Sequence, residues 1–183
     1  ISRKASIEAM GMTIGMELAK APSKMFMSQS MMGQEIMQIV VDTDLKKAKV
    51  TSQQGENIVE GDDALKMGET SVFPEMNYMD EGKYEVTLEG VEMIDGKPAY
   101  KLLVNDLLKG AEGYTWFSAE TGLLIKNDNE QTTNVITEYE TIDGIKLPKV
   151  MVVTQKAQSM EMTMTFDETK LNPEFEEGKF KVE

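Results

Sequence analysis

The residue types that carry most enzymatic and metal chemistry are missing from this chain: it contains no His and no Cys. Histidine is the usual general base near neutral pH and the commonest metal ligand. Cysteine supplies thiolate nucleophiles, disulfides and zinc sites. Their absence excludes His-dependent serine triads, His- or Cys-based zinc motifs and a disulfide frame. It leaves the cellular compartment open, since a domain of this size folds without disulfides in either redox environment. Carboxylates remain. Asp42-Thr43-Asp44, Gly61-Asp62-Asp63 and Asp128-Asn129-Glu130 offer oxygens, but none has the loop spacing and terminal bidentate Glu of a calcium site, and turn chemistry accounts for all three. Glu85 and Glu89 share one phase of an alternating segment, opposite Tyr84 and Leu88. That phase faces water, where nothing raises a carboxyl pKa toward catalytic range. The glycines sit singly at turns, with no phosphate-cradling loop. No metal, no cofactor and no enzymatic activity are expected.

The remaining chemical resource is methionine, sixteen residues in all. Eight lie between positions 10 and 37 and four between 151 and 164. Methionine is unbranched and polarizable, so it fills irregular gaps and adapts to ligands of varied shape. Met10, Met12, Met16, Met25, Met27, Met160, Met162 and Met164 recur at every second position within their segments. Placed on one concave face, they would line a deformable apolar pocket suited to acyl chains. The competing reading is a dry core packed under covering helices. Phe26, Phe73, Tyr78, Trp116, Phe117 and Phe166 are candidates for the wall or rim of such a cavity, or for ordinary packing. Phe73, Met76 and Met79 form a set of their own on a segment that reads as a lid.

Period-two alternation dominates the elements that must position these residues. Met10, Met12, Ile14, Met16 and Leu18 alternate with Ala9, Gly11, Thr13, Gly15 and Glu17. Strands follow at 25–31, 36–41 and 47–52. Residues 61–82 read as one or two short helices with loops: Gly61-Asp62-Asp63 caps the first, and Val72, Phe73, Met76 and Met79 fit helical spacing. Strands resume at Lys83. Asp95-Gly96 and Asp143-Gly144, each preceded by Ile, mark two tight hairpins. Met160, Met162, Met164 and Phe166 alternate with Glu161, Thr163 and Thr165 in the last strand, and Asn172-Pro173 opens an extended tail reaching Phe180. About nine to eleven strands joined by short hairpins make an antiparallel sheet. A sheet so wide curls or closes, so the expected fold is mostly β, a curved antiparallel half-barrel with one or two short covering helices.

The chain has 183 residues, enough for one domain, and no apolar stretch of membrane-spanning length. Its net charge of −13 opposes binding to nucleic acid. It opens Ile1-Ser2-Arg3-Lys4 with no signal peptide, which reads as a processed or truncated piece.

From the hairpin of residues 83–104 onward the sequence resembles a known family. Lys83-Tyr84-Glu85-Val86-Thr87-Leu88-Glu89-Gly90 and Asp95-Gly96-Lys97-Pro98-Ala99-Tyr100-Lys101-Leu102 are similar to the LolA/LolB-like outer-membrane lipoprotein-sorting proteins, especially the variants of Bacteroidetes. Trp116-Phe117-Ser118 with Thr121-Gly122-Leu123-Leu124, Tyr139 with Asp143-Gly144-Ile145-Lys146-Leu147-Pro148, and Leu171-Asn172-Pro173 with Phe180 fit the same pattern. The resemblance implies one LolA-like domain over 1–183, a half-open barrel with helices over its mouth and an apolar cavity for acyl chains. It implies a periplasmic or outer-membrane-associated carrier or sensor of a lipid, a lipoprotein or another hydrophobic small molecule. A periplasmic or outer-membrane protein is a further expected partner. Similar domains occur at the C-terminus of insulinase-type zinc peptidases, so the alternative is a non-catalytic protein-interaction domain once attached to such a peptidase. The sequence departs from the family at two points: the expected N-terminal helix is absent, and the lid-controlling arginine has no match, Arg3 being the only Arg.

Overall fold

The computed structural model describes residues 1–68, 76 and 78–182. In chain order the strands are β1 (Ser2–Ala9), β2 (Met12–Ala21), β3 (Lys24–Met31), β4 (Gln34–Asp42), β5 (Lys47–Ser52) and β6 (Gly55–Glu60). The helix α1 (Asp62–Gly68) follows. Then come β7 (Tyr84–Ile94), β8 (Lys97–Asp106), β9 (Ala111–Ser118), β10 (Leu124–Asn129), β11 (Thr132–Ile142), β12 (Ile145–Gln155) and β13 (Met160–Lys170). All thirteen belong to one antiparallel sheet, ordered β6-β5-β4-β3-β2-β1-β13-β12-β11-β10-β9-β8-β7. Short hairpins make sequence neighbours into sheet neighbours everywhere except where β1 meets β13. No described helix is long and apolar enough to cross a membrane.

The expected count was nine to eleven strands, and β1 and β6 are the two beyond it. In β1 the buried phase is Arg3, Ala5 and Ile7, one charged, one small and one large apolar residue, so alternation is weak in the sequence. In β6 nearly every residue is exposed, so no apolar phase exists to read. Met10 is also displaced from its expected place at the head of a strand. It occupies a tight turn with Gly11, φ 51° and 77°, between the paired residues Ala9 and Met12. Asp95-Gly96 and Asp143-Gly144 adopt the same left-handed pair, as expected of such dipeptides. The first expected helix is α1, with Asp62 and Asp63 in its opening turn, where carboxylates complement the free amides. The second was expected around Val72, Phe73, Met76 and Met79. Val72 and Phe73 lie outside the described residues, and Met76 and Met79 are joined by a turn hydrogen bond from Met79 N–H to the Met76 carbonyl, 3.4 Å.

Two compact units divide the chain. The first comprises Ile1–Thr70, Glu140–Leu147 and Met164–Glu183, the second Ser71–Tyr139 and Pro148–Thr163, with the boundaries falling inside β11, β12 and β13. In the first unit, Ala19, Phe26 and Val40 form a small core with Val182 on one face of β2–β4. Phe175 and Phe180 pack on it edge to face, with ring centroids 4.9 Å apart. The C-terminal tail is therefore docked. Lys179 Nζ fastens it, donating to Glu17 Oε1 at 2.6 Å and lying 3.8 Å above the Phe26 ring. In the second unit, Tyr84, Val86, Leu88, Leu102, Val104, Thr115 and Phe117 share one face of β7–β9 by register. Tyr78 sits on that face, with its ring against Tyr84 at 5.6 Å and its hydroxyl 3.4 Å from Thr115 Oγ1.

Candidate ligand-binding face

The face of β1–β5 opposite the docked tail carries the methionines of the first unit. Directly opposed residues in antiparallel strands project to the same side, so the register defines rows running across the sheet. One row is Lys20, Met25, Val41, Ala48 and Val59. The next is Arg3, Leu18, Met27, Ile39 and Val50. Then come Ala5, Met16, Gln29, Met37 and Ser52, and after them Ile7, Ile14 and Met31. Ala9 and Met12 close the series.

This face is packed at one end and open at the other. At the first row, Met25 is 2% exposed and Val41 and Ala48 are fully buried. Helix α1 covers them. Its Gly68 lies so close that an added Cβ would stand 3.2 Å from Val41 Cγ1 and 2.7 Å from Thr43 Cγ2, and Lys20 Nζ donates to the Gly68 carbonyl. Beyond the first row burial is uneven: Leu18, Ala5 and Ile7 are buried, whereas Met27, Ile39, Val50, Met16, Met37 and Ile14 are only partly buried. Met12 is 53% exposed. Part of this apolar face therefore keeps contact with solvent, most of all at Met12.

Arg3 is the unforeseen feature of this face. It is 3% exposed, in the second row. Its Nε donates to Thr169 Oγ1 at 3.2 Å, its guanidinium lies 3.3 Å above the Phe166 ring, and Glu140 Oε1 is 3.9 Å from its terminal nitrogen. Thr169 Oγ1 donates in turn to Glu140 Oε1 at 3.2 Å. Burial brings the guanidinium down to about 10, against the opposing pull of Glu140. At neutral pH it is a recessed cation within an apolar surface. Its position in a short N-terminal alternation carried no signal of burial.

The other expected site residues are distributed between the units. Met12, Met16, Met25 and Met27 share the face just described, while Met10 stands at its rim in a turn. Met164 belongs to the first unit and is half-buried; Met160 and Met162 belong to the second and are also half-buried. Met76 and Met79 are exposed, beside Tyr78. Phe73 lies outside the described residues. Trp116 is buried on the face of β9 opposite Tyr78. There its Nε1 donates to Glu92 Oε2 at 2.9 Å, and Lys126 Nζ lies 4.6 Å over its ring. Lys101 donates to Glu92 Oε1 at 2.9 Å, and this bond, followed by that from Trp116, holds the Glu92 carboxyl below its usual range. Trp116 thus anchors a polar cluster, and the structure does not bring it together with the Tyr78 segment. On the apolar side of the same unit, Val86, Leu88, Val91, Met93 and Tyr100 are exposed large residues on adjoining positions of β7 and β8. The alternation announces them, but nothing in the sequence says that face lacks a cover. No group of three or more acidic side chains able to hold a metal ion occurs among the described residues.

No protein-family model and no curated protein sequence matches the chain. Solved structures do. A DUF1329 family protein from Desulfovibrio piger superposes with a TM-score of 0.67 at 15% identity, covering 99% of this chain and 89% of that one. A LolA superfamily protein from Nitrosomonas europaea gives 0.68 at 11% identity, covering 98% and 88%. A structure described as an outer-membrane lipoprotein-sorting protein domain, from Vibrio parahaemolyticus, gives 0.57 at 14% identity, covering 98% and 88%. Near-complete coverage of this chain and 88–89% coverage of each of these structures, at TM-scores of 0.57 to 0.68, show that the chain has a LolA-like fold.

Proposed function

We propose that the protein binds a hydrophobic ligand, an acyl chain of a lipid or lipoprotein, on the methionine face of β1–β5, as a non-enzymatic carrier or sensor in the periplasm. The observation that supports the reading is the partly buried stretch of that face: Met16, Met27, Met37, Ile39 and Val50 lie side by side in register, are apolar and keep some contact with solvent. The fold supports it, because one of the similar structures is described as a lipoprotein-sorting domain. Methionine suits the role, since its flexible thioether re-packs around chains of different length. Apolar burial supplies the driving force, about 0.8 kcal/mol per methylene, and association consumes several kcal/mol of the total. Met164, in the same unit, is a further candidate for this lining. In this reading the fully buried Met25 belongs to the packed support of the face. The test is uptake of a fluorescent fatty acid, together with mass spectrometry of lipid retained after native purification. Met16→Glu and Met27→Glu each place a charge on the proposed lining and should abolish uptake while circular dichroism stays unchanged. Wild-type protein that neither retains lipid nor takes up the probe ends the proposal.

A further inference from the structure

Two neighbouring hairpin tips break a local rule in the same way. Four hairpins turn through an X–Gly pair with both residues left-handed: Met10-Gly11, Met32-Gly33, Asp95-Gly96 and Asp143-Gly144. The first position favours Asn, Asp or Gly, whose side chains tolerate positive φ. Two hairpins obey, with Asp95 at φ 50° and Asp143 at φ 49°. The β1–β2 and β3–β4 tips use methionine instead, Met10 at φ 51° and Met32 at φ 53°. Neither gains burial in return, being 82% and 94% exposed. The choice therefore serves neither the turn nor the core, and such local inconsistencies mark functional positions.

The register places these tips together. β2 pairs with β3, Ile14 opposite Met31, so the β3–β4 tip begins level with the start of β2. Met12 is the next residue after Ile14 on the same side, diagonal to Met31, at a spacing of about 7–8 Å that long side chains bridge. Met32 follows Met31 directly into the turn. The register thus brings Met12, Met31 and Met32, with Met10 beyond them, to the same end of β1–β4, on flexible exposed side chains. Their exposures run from 37% for Met31 to 94% for Met32. Thioether sulfur is a soft donor that selects soft monovalent cations over calcium, magnesium or zinc.

We propose that the adjacent β1–β2 and β3–β4 tips form a thioether site for a soft monovalent cation, Cu(I) or Ag(I), with Met12, Met31 and Met32 as ligands and Met10 completing the set. It does not depend on what the apolar face binds. The experiment is a silver nitrate titration, in chloride-free buffer, of protein carrying 13C-methyl methionine, with Cu(I) competition against bicinchoninate under anaerobic conditions. The expected result is saturation at one equivalent, with the methyl resonances of Met10, Met12, Met31 and Met32 shifting together and that of buried Met25 unmoved. The double variant Met12→Leu/Met31→Leu keeps its apolar contacts and should bind roughly tenfold or more weakly. Met32→Asn, which suits the left-handed turn, should weaken binding without loss of thermal stability. Unsaturable shifts of equal size at exposed Met76, Met79 and Met93, or undiminished affinity in the double variant, would overturn the site.

Discussion

Replacing Arg3 with methionine should leave the protein as stable as before, or slightly more so. The guanidinium titrates at about 10, well below its ordinary range, because burial outweighs the attraction of Glu140. Converted at 1.4 kcal/mol per tenfold, that is a net penalty of about 3 kcal/mol, or about 2 after allowing for solvent that reaches the pair along the partly exposed Glu140. Methionine fills much of the same volume without the charge. It forfeits the stacking on Phe166, about 1 kcal/mol, and the hydrogen bond to Thr169, about 1 kcal/mol. The sum lies within about 1 kcal/mol of zero. Glu140→Gln should behave oppositely. It removes the Glu140 charge beside a cation at 3% exposure, which costs about 2 kcal/mol, below the range for fully buried pairs because the two groups stand 3.9 Å apart. Urea unfolding at pH 7 of both single variants and the double variant measures all three terms and their coupling. The alkaline limb adds an independent check. A depressed folded-state pKa means the unfolded chain binds more protons from about pH 10 up toward the ordinary arginine range, so the penalty on wild type is relieved as pH rises through that window. The difference between wild type and Arg3→Met should grow in favour of wild type there. A loss above about 3 kcal/mol for Arg3→Met, or a neutral Glu140→Gln, would refute the account of Arg3 as a costly recessed cation.

Two glycines give sharper packing tests. Gly113 lies where an added Cβ would come within 2.8 Å of the Asp128 backbone carbonyl, which the β9–β10 ladder holds in place. Gly113→Ala should therefore lower stability by about 2 kcal/mol in urea unfolding, and an unchanged midpoint would show that the strands separate freely. Gly68→Ala drives a methyl against Thr43 Cγ2, and the cost, about 1 kcal/mol net of improved helix propensity, should disappear in Gly68→Ala/Thr43→Ser. The serine keeps the hydroxyl bonded to the Ser23 carbonyl but removes the obstructing methyl. If the serine gives no rescue in the same urea assay, α1 does not seat against Thr43.

Sequence periodicity reached the fold class, most of the strands and both Asp-Gly hairpins, because each is a local choice visible at period two or in a dipeptide. It missed β1, whose buried phase combines Arg3 with Ala5, and β6, whose two apolar residues Ile58 and Val59 are adjacent and so mark neither phase. A strand with no apolar phase is specified by its partner: β6 is held to β5 by the ladder and by ion pairs of Lys47 with Glu60 and Lys49 with Glu56. The candidate face was partly legible. Alternation put Met12 and Met16 on one side and Met25 and Met27 together, but it is blind to cover. Met25 lies in a packed row and Met16 in an open one, and the difference comes from α1, which stops at Gly68. Trp116 shows the same limit from the other side. Its neighbours in sequence suggested an apolar wall, whereas cross-strand register delivers Lys101 and Lys126 to its ring and Glu92 to its indole N–H.

A sheet that leaves apolar surface in water at one end and has two unpaired edges carries an evident risk of self-association. The distribution of charge answers it. On β7, the strand ending the sheet order, Glu85, Glu89 and Glu92 alternate with or interrupt the apolar residues, and the register shifts between Leu88 and Gly90. A second β7 approaching antiparallel would bring like charges together and meet a bulge where it needs a regular ladder. At the other end, β6 presents Glu56 and Glu60 beside the lysines of β5. The net charge of −13 adds long-range repulsion between copies, which falls as salt screens it. Charge and irregularity at each edge, together with the net negative charge, therefore oppose pairing with a second copy of the protein.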